Sequence, residues 1–183
     1  MAIYFIHGYN SGPDGTTAKV VKQACEELGV ADDLVCVDYA EMQDDPGAAY
    51  YKICGYLIDG DMDPIVVGHS YGGIFARAIA SASNRVKLVM INPSLEPFDT
   101  LKDKLDPFSI TVLQYLEERP LSREVRVYLA LGMKDKIISP EYALETFSGR
   151  AYLNIDENGG HRPTLQQVKE VIHYAINHEA LEV

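Results

Sequence analysis

Apolar segments of strand length alternate with segments of helical periodicity along the chain, and this alternation limits the possible folds more than any other feature. The strand-like segments are mostly continuous apolar runs, as expected for strands that are buried on both faces. They comprise residues 2–6, 34–37, 65–68, 86–91, 125–131 and 152–155. Strands that alternate with helices predict βα units, and therefore an α/β fold of about six mostly parallel strands.

Three of the intervening segments indicate helices with recognisable ends. Apolar residues recur at helical spacing over residues 18–28 and stop at Gly29, a residue suited to a helix C-terminus. Pro46 fits the first turn of a second helix that ends at Gly60, and a last helix begins near Pro163. Helices in these positions can cover both faces of the sheet.

Length and composition predict a single domain over residues 1–183. The chain has 183 residues and an ordinary hydrophobic content of 47%. Its longest apolar run is much shorter than the roughly 20 residues that span a bilayer, and its first residues lack the basic region of a signal peptide. We therefore expect a cytoplasmic protein without membrane insertion.

The charge and the cysteines exclude several classes of partner and cofactor. The net charge is −11, and acidic residues concentrate in 41–45 and 59–63 as expected for solvated loops, so nucleic acid and anionic lipid are not expected partners. Cys25, Cys36 and Cys54 form no C-x-x-C pair and are expected to be reduced thiols. No metal-ligand spacing is visible, and no cofactor is predicted.

A Gly-x-Ser-x-Gly sequence stands where the third apolar segment gives way to helix-forming residues. Its members are Gly68, Ser70 and Gly72. A sharp strand-to-helix turn strains the central residue and exposes its hydroxyl, and the small glycines allow the chain to turn tightly. The free N–H groups of the helix start point toward a developing oxyanion, and the N–H of Tyr71 is the natural donor. The alternative is a purely structural turn.

A serine nucleophile needs a base to take its proton and a third group to orient that base. Asp135 follows the fifth apolar segment and His161 follows the sixth, so Ser70, Asp135 and His161 all lie at the carboxyl ends of predicted strands. Asp156 competes for the role of the acid, and Asp135 is preferred because a separate loop lets a carboxylate approach the far side of the ring. His7 is expected to brace a loop.

The remaining histidines and the second oxyanion donor also have candidates. His69 is expected to brace a loop, as His7 is, and the histidines of the last helix to be solvated or capping. The first strand ends in a loop whose backbone N–H groups can complete the oxyanion hole, with Tyr9 preferred and Asn10 in reserve. The two loops adjoin if the strand order is 2-1-3-4-5-6. A phosphate cradle at residues 8–15 lacks the required glycine and lysine spacing.

Several motifs together resemble the YqiA-like small esterases of the α/β-hydrolase superfamily. They are residues 3–11, the Gly68 to Gly73 turn, Ile91-Asn92-Pro93-Ser94-Leu95-Glu96-Pro97-Phe98, residues 132–135 and Gly159-Gly160-His161. The resemblance implies a compact α/β-hydrolase fold that cleaves carboxylic esters or acyl thioesters, with Ser70, Asp135 and His161 as the catalytic triad. His69 and Tyr71 stand where relatives often have smaller or aliphatic residues.

Residues 94–123 occupy the position where hydrolases of this type insert a cap, and the segment is short enough for a minimal cap. Phe98 and Leu101 begin a series of apolar residues that either line an acyl pocket or pack a small helix onto the body. We take Asn10, Phe98 and Leu101 as candidate substrate-binding residues. A small cap favours modest acyl groups, or a long chain left partly exposed.

The sequence thus predicts a serine hydrolase of the carboxylesterase or thioesterase type that acts through an acyl-serine. Its expected partner is a small-molecule ester or thioester, and no oligomeric state is indicated. The alternatives are a non-catalytic binding or adaptor protein on the same fold, and an amide or lactone hydrolase that uses the same triad.

Overall fold

Six strands form one parallel sheet in the computed structural model, which describes residues 1–57 and 63–178. The strand order is β2-β1-β3-β4-β5-β6, and each neighbouring pair is parallel. The predicted strand order and the α/β fold are therefore confirmed. The strands are β1 (Ile3–Ile6), β2 (Leu34–Val37), β3 (Ile65–His69), β4 (Lys87–Ile91), β5 (Arg126–Gly132) and β6 (Ala151–Asp156).

The described residues form seven α-helices and two short 3₁₀ helices, over residues 31–33 and 40–42. The α-helices are α1 (Thr16–Glu27), α2 (Pro46–Leu57), α3 (Gly72–Ala80), α4 (Pro97–Leu101), α5 (Pro107–Glu118), α6 (Glu141–Phe147) and α7 (Leu165–Asn177). The chain turns after α1 at Gly29, whose φ of 72° suits glycine. The expected end of the second helix at Gly60 lies outside the described residues.

The two faces of the sheet are covered by different helices, because alternate residues of each strand point to opposite sides. On one face, Phe5 and Val67 pack with α1 and α7 in one buried cluster. On the other face, Ile6 and Val66 pack in a second cluster that includes buried residues of α2, α3, α5 and α6. No described helix has the length and apolar content needed to cross a membrane.

Residues 94–123 contain α4, which follows β4, and α5, which packs against α3. Asp106 caps α5 by accepting hydrogen bonds from the N–H groups of Phe108 (2.8 Å) and Ser109 (3.1 Å). Leu113 and Leu116 on the inner side of α5 are fully buried in the core. The segment therefore contributes to the core instead of only covering the site.

Candidate active site

Ser70 lies in the turn between β3 and α3 with a positive φ of 53°, a strained conformation for a residue other than glycine. Backbone hydrogen bonds on both sides hold it there. Its N–H donates to Ile91 O (3.1 Å), and its carbonyl accepts from the N–H groups of Gly73 (2.8 Å) and Ser94 (2.9 Å). The turn is thus tied to the chain that leaves β4.

Glycine at position 72 is required by a close approach between α3 and the end of β1. A Cβ at Gly72 would lie 2.2 Å from Ile6 O and 2.6 Å from His7 O, both backbone atoms. The loop that follows β1 also approaches the side chain of Ser70. A Cβ added at Gly8 in this loop would lie 3.2 Å from Ser70 Cβ. The structure therefore places the β1 loop directly beside the predicted nucleophile.

The backbone N–H groups beside Ser70 differ in whether they already have a partner. Asn10 donates its N–H to Gln43 Oε1 at 2.6 Å. Within the described ranges, no hydrogen bond uses the N–H of Tyr9 or of Tyr71. Of the three predicted oxyanion donors, Tyr9 and Tyr71 are the two whose amides have no hydrogen-bond partner among the described residues.

The side chains of Tyr9 and Tyr71 pack edge to face, with ring centroids 5.6 Å apart. The Tyr9 hydroxyl donates to Asp44, which raises the pKa of Tyr9 to about 12. Burial raises the pKa of Tyr71, whose hydroxyl donates to Gln43 O (3.3 Å). The acidic 41–45 segment, predicted as a solvated loop, therefore also borders the site. Because their pKa values are raised, both phenols stay neutral at physiological pH.

Asp135 and His161 form a hydrogen bond between the loops that follow β5 and β6. His161 Nδ1 lies 2.7 Å from Asp135 Oδ2, and the Asp135 side chain is only 1% exposed. Asp135 Oδ1 accepts from the N–H groups of Ile137 (2.8 Å) and Ile138 (3.0 Å). Because a buried carboxylate has only acceptors, Nδ1 carries the hydrogen and Nε2 is left to take a proton.

The side chain of the rival acid, Asp156, is bonded within its own loop. Its Oδ1 accepts from Asn158 N at 2.9 Å, and its carbonyl accepts from Met133 N and Gly159 N. None of the hydrogen bonds between described residues joins Asp156 to His161. The hydrogen-bond pattern therefore favours Asp135.

Two buried histidines contact loop backbone rather than the nucleophile. His69 Nε2 lies 3.2 Å from His161 O, and the two rings are 5.1 Å apart. Burial and the nearby His161 lower the pKa of His69 to about 4, so His69 is neutral and donates to that carbonyl. His7 stacks on Tyr39, its Nδ1 lies 2.9 Å from Gly8 O, and burial lowers its pKa.

Ser70 and His161 are neighbours through His69, which precedes Ser70 and contacts the His161 carbonyl. A direct hydrogen bond from Ser70 Oγ to His161 is absent from the described part of the chain. Such catalytic hydrogen bonds are often long in unliganded enzymes and shorten when substrate binds. The structure therefore brings together Asp135 and His161 directly, and Ser70 through an adjacent residue.

A cavity of about 180 Å³ lies between the loop after β4 and the loop after β5. Its lining includes Ser94, which is hydrogen-bonded to Ser70, and Ile138, which is hydrogen-bonded to Asp135. Of the predicted pocket residues, Leu101 is buried in the core and Phe98 packs against it, and neither lines this cavity. A larger cavity of about 640 Å³ lies beside the first residues of β5, far from every predicted site residue.

Comparison with known families adds to this geometry. The model of the uncharacterised protein family UPF0227, the YqiA family, matches residues 1–179. The chain belongs to UPF0227. The resemblance predicted from the sequence motifs is therefore confirmed, and none of the curated proteins matches the chain.

Solved structures extend the likeness of this UPF0227 chain to the α/β hydrolases. The ydeN gene product from B. subtilis has a TM-score of 0.74 at 14% identity, covering 97% of this chain and 99% of that one. Alpha/beta hydrolase domain-containing protein 10 from mouse has a TM-score of 0.70 at 21% identity, with 96% and 86% covered. Est1E from Butyrivibrio proteoclasticus, with ferulic acid bound, has a TM-score of 0.62 at 14% identity, with 97% and 90% covered. These likenesses show the α/β-hydrolase fold.

One residue of the UPF0227 motifs has a place in the site that the sequence analysis did not assign. Asn92 is buried, and its side chain bonds to the loops after β5 and β6. The sequence carried one signal for Asn92: it is a polar residue that directly follows a predicted apolar strand, and it therefore lies at the carboxyl edge of the sheet. The link between His69 and His161 was equally unassigned, because it joins residues 92 positions apart.

Proposed function

We propose that this chain is a serine hydrolase that cleaves carboxylic esters or acyl thioesters through an acyl-serine intermediate. The observation that carries the proposal is the 2.7 Å hydrogen bond from His161 Nδ1 to the buried Asp135 carboxylate, in a loop that contacts the strained turn of Ser70. A buried acid, an oriented imidazole and an elbow serine are the three groups that acyl transfer needs.

In the first step, Ser70 Oγ attacks the substrate carbonyl while His161 Nε2 takes the hydroxyl proton. The carbonyl oxygen becomes an oxyanion, which the N–H groups of Tyr9 and Tyr71 stabilise. The imidazolium then gives its proton to the departing alcohol or thiol, and the carbon–oxygen or carbon–sulfur bond breaks. In the second step, His161 takes a proton from water, the hydroxide attacks the acyl-serine, and the acid is released as Ser70 regains its proton.

Asp135 holds the imidazole in the tautomer that this sequence requires. Its Oδ2 accepts the Nδ1 hydrogen, so Nε2 is unprotonated before the reaction. The same negative charge stabilises the imidazolium that forms when Ser70 loses its proton. Because Oδ1 is held by two loop N–H groups, the carboxylate cannot easily turn away.

The cavity between the loops after β4 and β5 suits a small acyl group. Its volume of about 180 Å³ is below the usual range of roughly 300–1,000 Å³ for sites of drug-sized ligands. Glu96 and Asp99 line it, and burial with the nearby Asp99 charge raises the pKa of Glu96. Like-charge repulsion therefore disfavours an anionic acyl group and favours a short, neutral one.

Labelling with a fluorophosphonate probe tests the proposal, since the probe reacts only with an activated serine. We expect wild-type protein to be labelled and Ser70→Ala to be unlabelled. Ser83→Ala is the matched control, because Ser83 lies in the turn before β4 at the opposite edge of the sheet, and it should be labelled like wild type. Equal labelling of Ser70→Ala would refute the assignment, and an unlabelled wild type would favour a binding protein on the hydrolase fold.

A further inference from the structure

Asn92 directly follows β4 and is 3% exposed. Its Nδ2 donates to two consecutive carbonyls, Gly160 O at 3.1 Å and His161 O at 2.9 Å. Its Oδ1 accepts the N–H of Gly132 at 2.7 Å. Gly132 is the last residue of β5, at the start of the loop that carries Asp135. One side-chain amide therefore joins the loop of the acid to the loop of the base.

The chemistry of these contacts requires a carboxamide. A side chain here must donate to two carbonyls and accept from one N–H, and only Asn and Gln combine an NH₂ group with an oxygen acceptor. An Asp in this place would have only acceptors when ionised and would face two carbonyl oxygens. Because the site is buried, these unpaired polar groups would cost free energy.

The backbone of Asn92 is also specialised. Its φ of 42° lies in the left-handed region, which Asn adopts more readily than most residues. Its N–H donates to Ala130 O at 2.9 Å, so the strained residue is held against β5. Asn92 thus combines a strained backbone with a side chain that reaches the site, which is typical of functional positions.

The carbonyl of His161 has a second donor. His69 Nε2 lies 3.2 Å from the same oxygen that Asn92 Nδ2 contacts at 2.9 Å. The backbone of His161 is thereby held from the end of β3 and the end of β4 together. These bonds leave the backbone at His161 little freedom, so the position from which the imidazole projects is held by the ends of two strands remote in sequence.

We propose that Asn92 is a positioning residue that holds the His161 backbone so that its ring faces both Asp135 and Ser70. The inference rests on the proposed role of His161 as the catalytic base. Asn92 contacts none of the three triad side chains in these bonds and acts through the chain that carries one of them.

Two variants test the role. Asn92→Asp keeps the size of the side chain and its acceptor for Gly132 but removes both donated bonds, while Asn92→Gly suits the positive φ and removes the whole side chain. We expect each to lower kcat for a nitrophenyl ester by about a hundredfold, as a misplacement of roughly 1 Å does. KM should change little, because Asn92 is not among the residues that line the acyl cavity.

A proton NMR signal separates positioning from general stability. The His161 Nδ1 hydrogen, bonded to a buried carboxylate, should resonate far downfield and should vanish in His161→Ala. We expect it to shift or disappear in both Asn92 variants. Asn177→Asp, at the exposed end of α7, is the control and should leave both kcat and the signal unchanged.

Each outcome has a definite meaning. Wild-type kcat and an unshifted signal in the Asn92 variants would overturn the inference, and Asn92→Gly decides the question if Asn92→Asp does not fold. A wild type that hydrolyses neither an ester nor an acyl thioester would instead refute the proposed function. The NMR signal would still report whether Asn92 orients His161, so the two failures are distinguishable.

Discussion

At the scale of single residues, strain in the described chain is concentrated where the site is built. Asn10, Ser70 and Asn92 have φ values of 54°, 53° and 42°, and they are the non-glycine residues with positive φ in the described ranges. Each lies in the chain that leaves the carboxyl end of β1, β3 or β4. A conformation of this kind costs on the order of 1–3 kcal/mol and persists only where surrounding contacts hold it. The three positions therefore mark the edge of the sheet that carries the candidate site, independently of any motif.

The two carboxylate oxygens of Asp135 have different partners, and this predicts the effect of replacing one oxygen with an NH₂ group. Asp135→Asn can keep its Oδ1 bonds to Ile137 and Ile138, but it presents an NH₂ group to His161 Nδ1. The imidazole is then driven to the wrong tautomer, with Nε2 protonated. We expect kcat for a nitrophenyl ester to fall by about 10³–10⁴-fold with an unchanged loop structure.

Asp156→Asn is the matched control for that variant. Asp156 accepts one local N–H from Asn158, which an Asn at position 156 can still accept through Oδ1. We expect its kcat to stay near the wild-type value. A large loss in Asp156→Asn together with an active Asp135→Asn would show that the acid has been assigned to the wrong loop.

At the scale of elements, the loops after β4 and β5 border the cavity that we propose holds the acyl group. α4 follows β4 and borders the small cavity through Asp99 and Thr100, and the chain before α6 borders it from the other side. α5 instead packs into the core against α3, so the 94–123 segment is divided between pocket and core. A short α4 leaves a small opening, which under the proposed function limits the size of the acyl group.

Filling the cavity should change chain-length preference. Thr100 is exposed on α4 and lines the cavity, so Thr100→Phe should occupy part of the acyl space without disturbing the core. We expect kcat/KM for a butyryl ester to fall about tenfold and that for an acetyl ester to change much less. A panel of nitrophenyl esters of increasing acyl length measures the difference.

Thr111→Phe provides the comparison. Thr111 is also an exposed helical threonine whose hydroxyl donates to a preceding carbonyl, but it lies on α5 away from the cavity. Its chain-length profile should match wild type. If Thr100→Phe lowers acetyl and butyryl hydrolysis equally, the cavity is not the acyl site.

At the scale of the whole molecule, pH should act on stability through buried neutral histidines. In the folded chain, burial lowers the pKa of both His7 and His69, and the pKa of His69 falls to about 4. In an unfolded chain the pKa of histidine is about 6.5. Between pH 6.5 and 4 the unfolded chain binds more protons than the folded chain, so stability falls as the pH decreases. Well above pH 6.5 both states are neutral at these residues, and the effect vanishes.

The variant His69→Gln isolates one of these contributions. From the pKa of about 4, His69 should lower the free energy of unfolding by about 2 kcal/mol between pH 7 and pH 5. Urea unfolding at the two pH values should show that His69→Gln loses less unfolding free energy than wild type between pH 7 and pH 5. The difference should equal this amount, because Gln does not titrate. His7 remains in both proteins as an internal control. An equal loss in the variant and in wild type would contradict a depressed pKa at His69.

Periodicity in the sequence predicted the α/β class and the six strands, and its short motifs predicted the family, the strand order and the chain order of the candidate serine, acid and histidine. Those features follow from local periodicity and from short motifs, since an apolar run of strand length is buried wherever it occurs. The six predicted strands agree with the observed ones to within one residue at each end. The carboxyl-edge position of Ser70 followed in the same way.

Which groups face each other across the loops is known only from the folded structure. It distinguished Asp135 from Asp156, showed that Gln43 occupies the Asn10 amide, placed Leu101 in the core, and joined Asn92 to the loops of the acid and the base. The hydrogen bonds among these contacts join residues that are 26 to 69 positions apart in the chain. Hydrogen bonds depend on distance and direction in space, and neither can be derived from the spacing of residues in a loop.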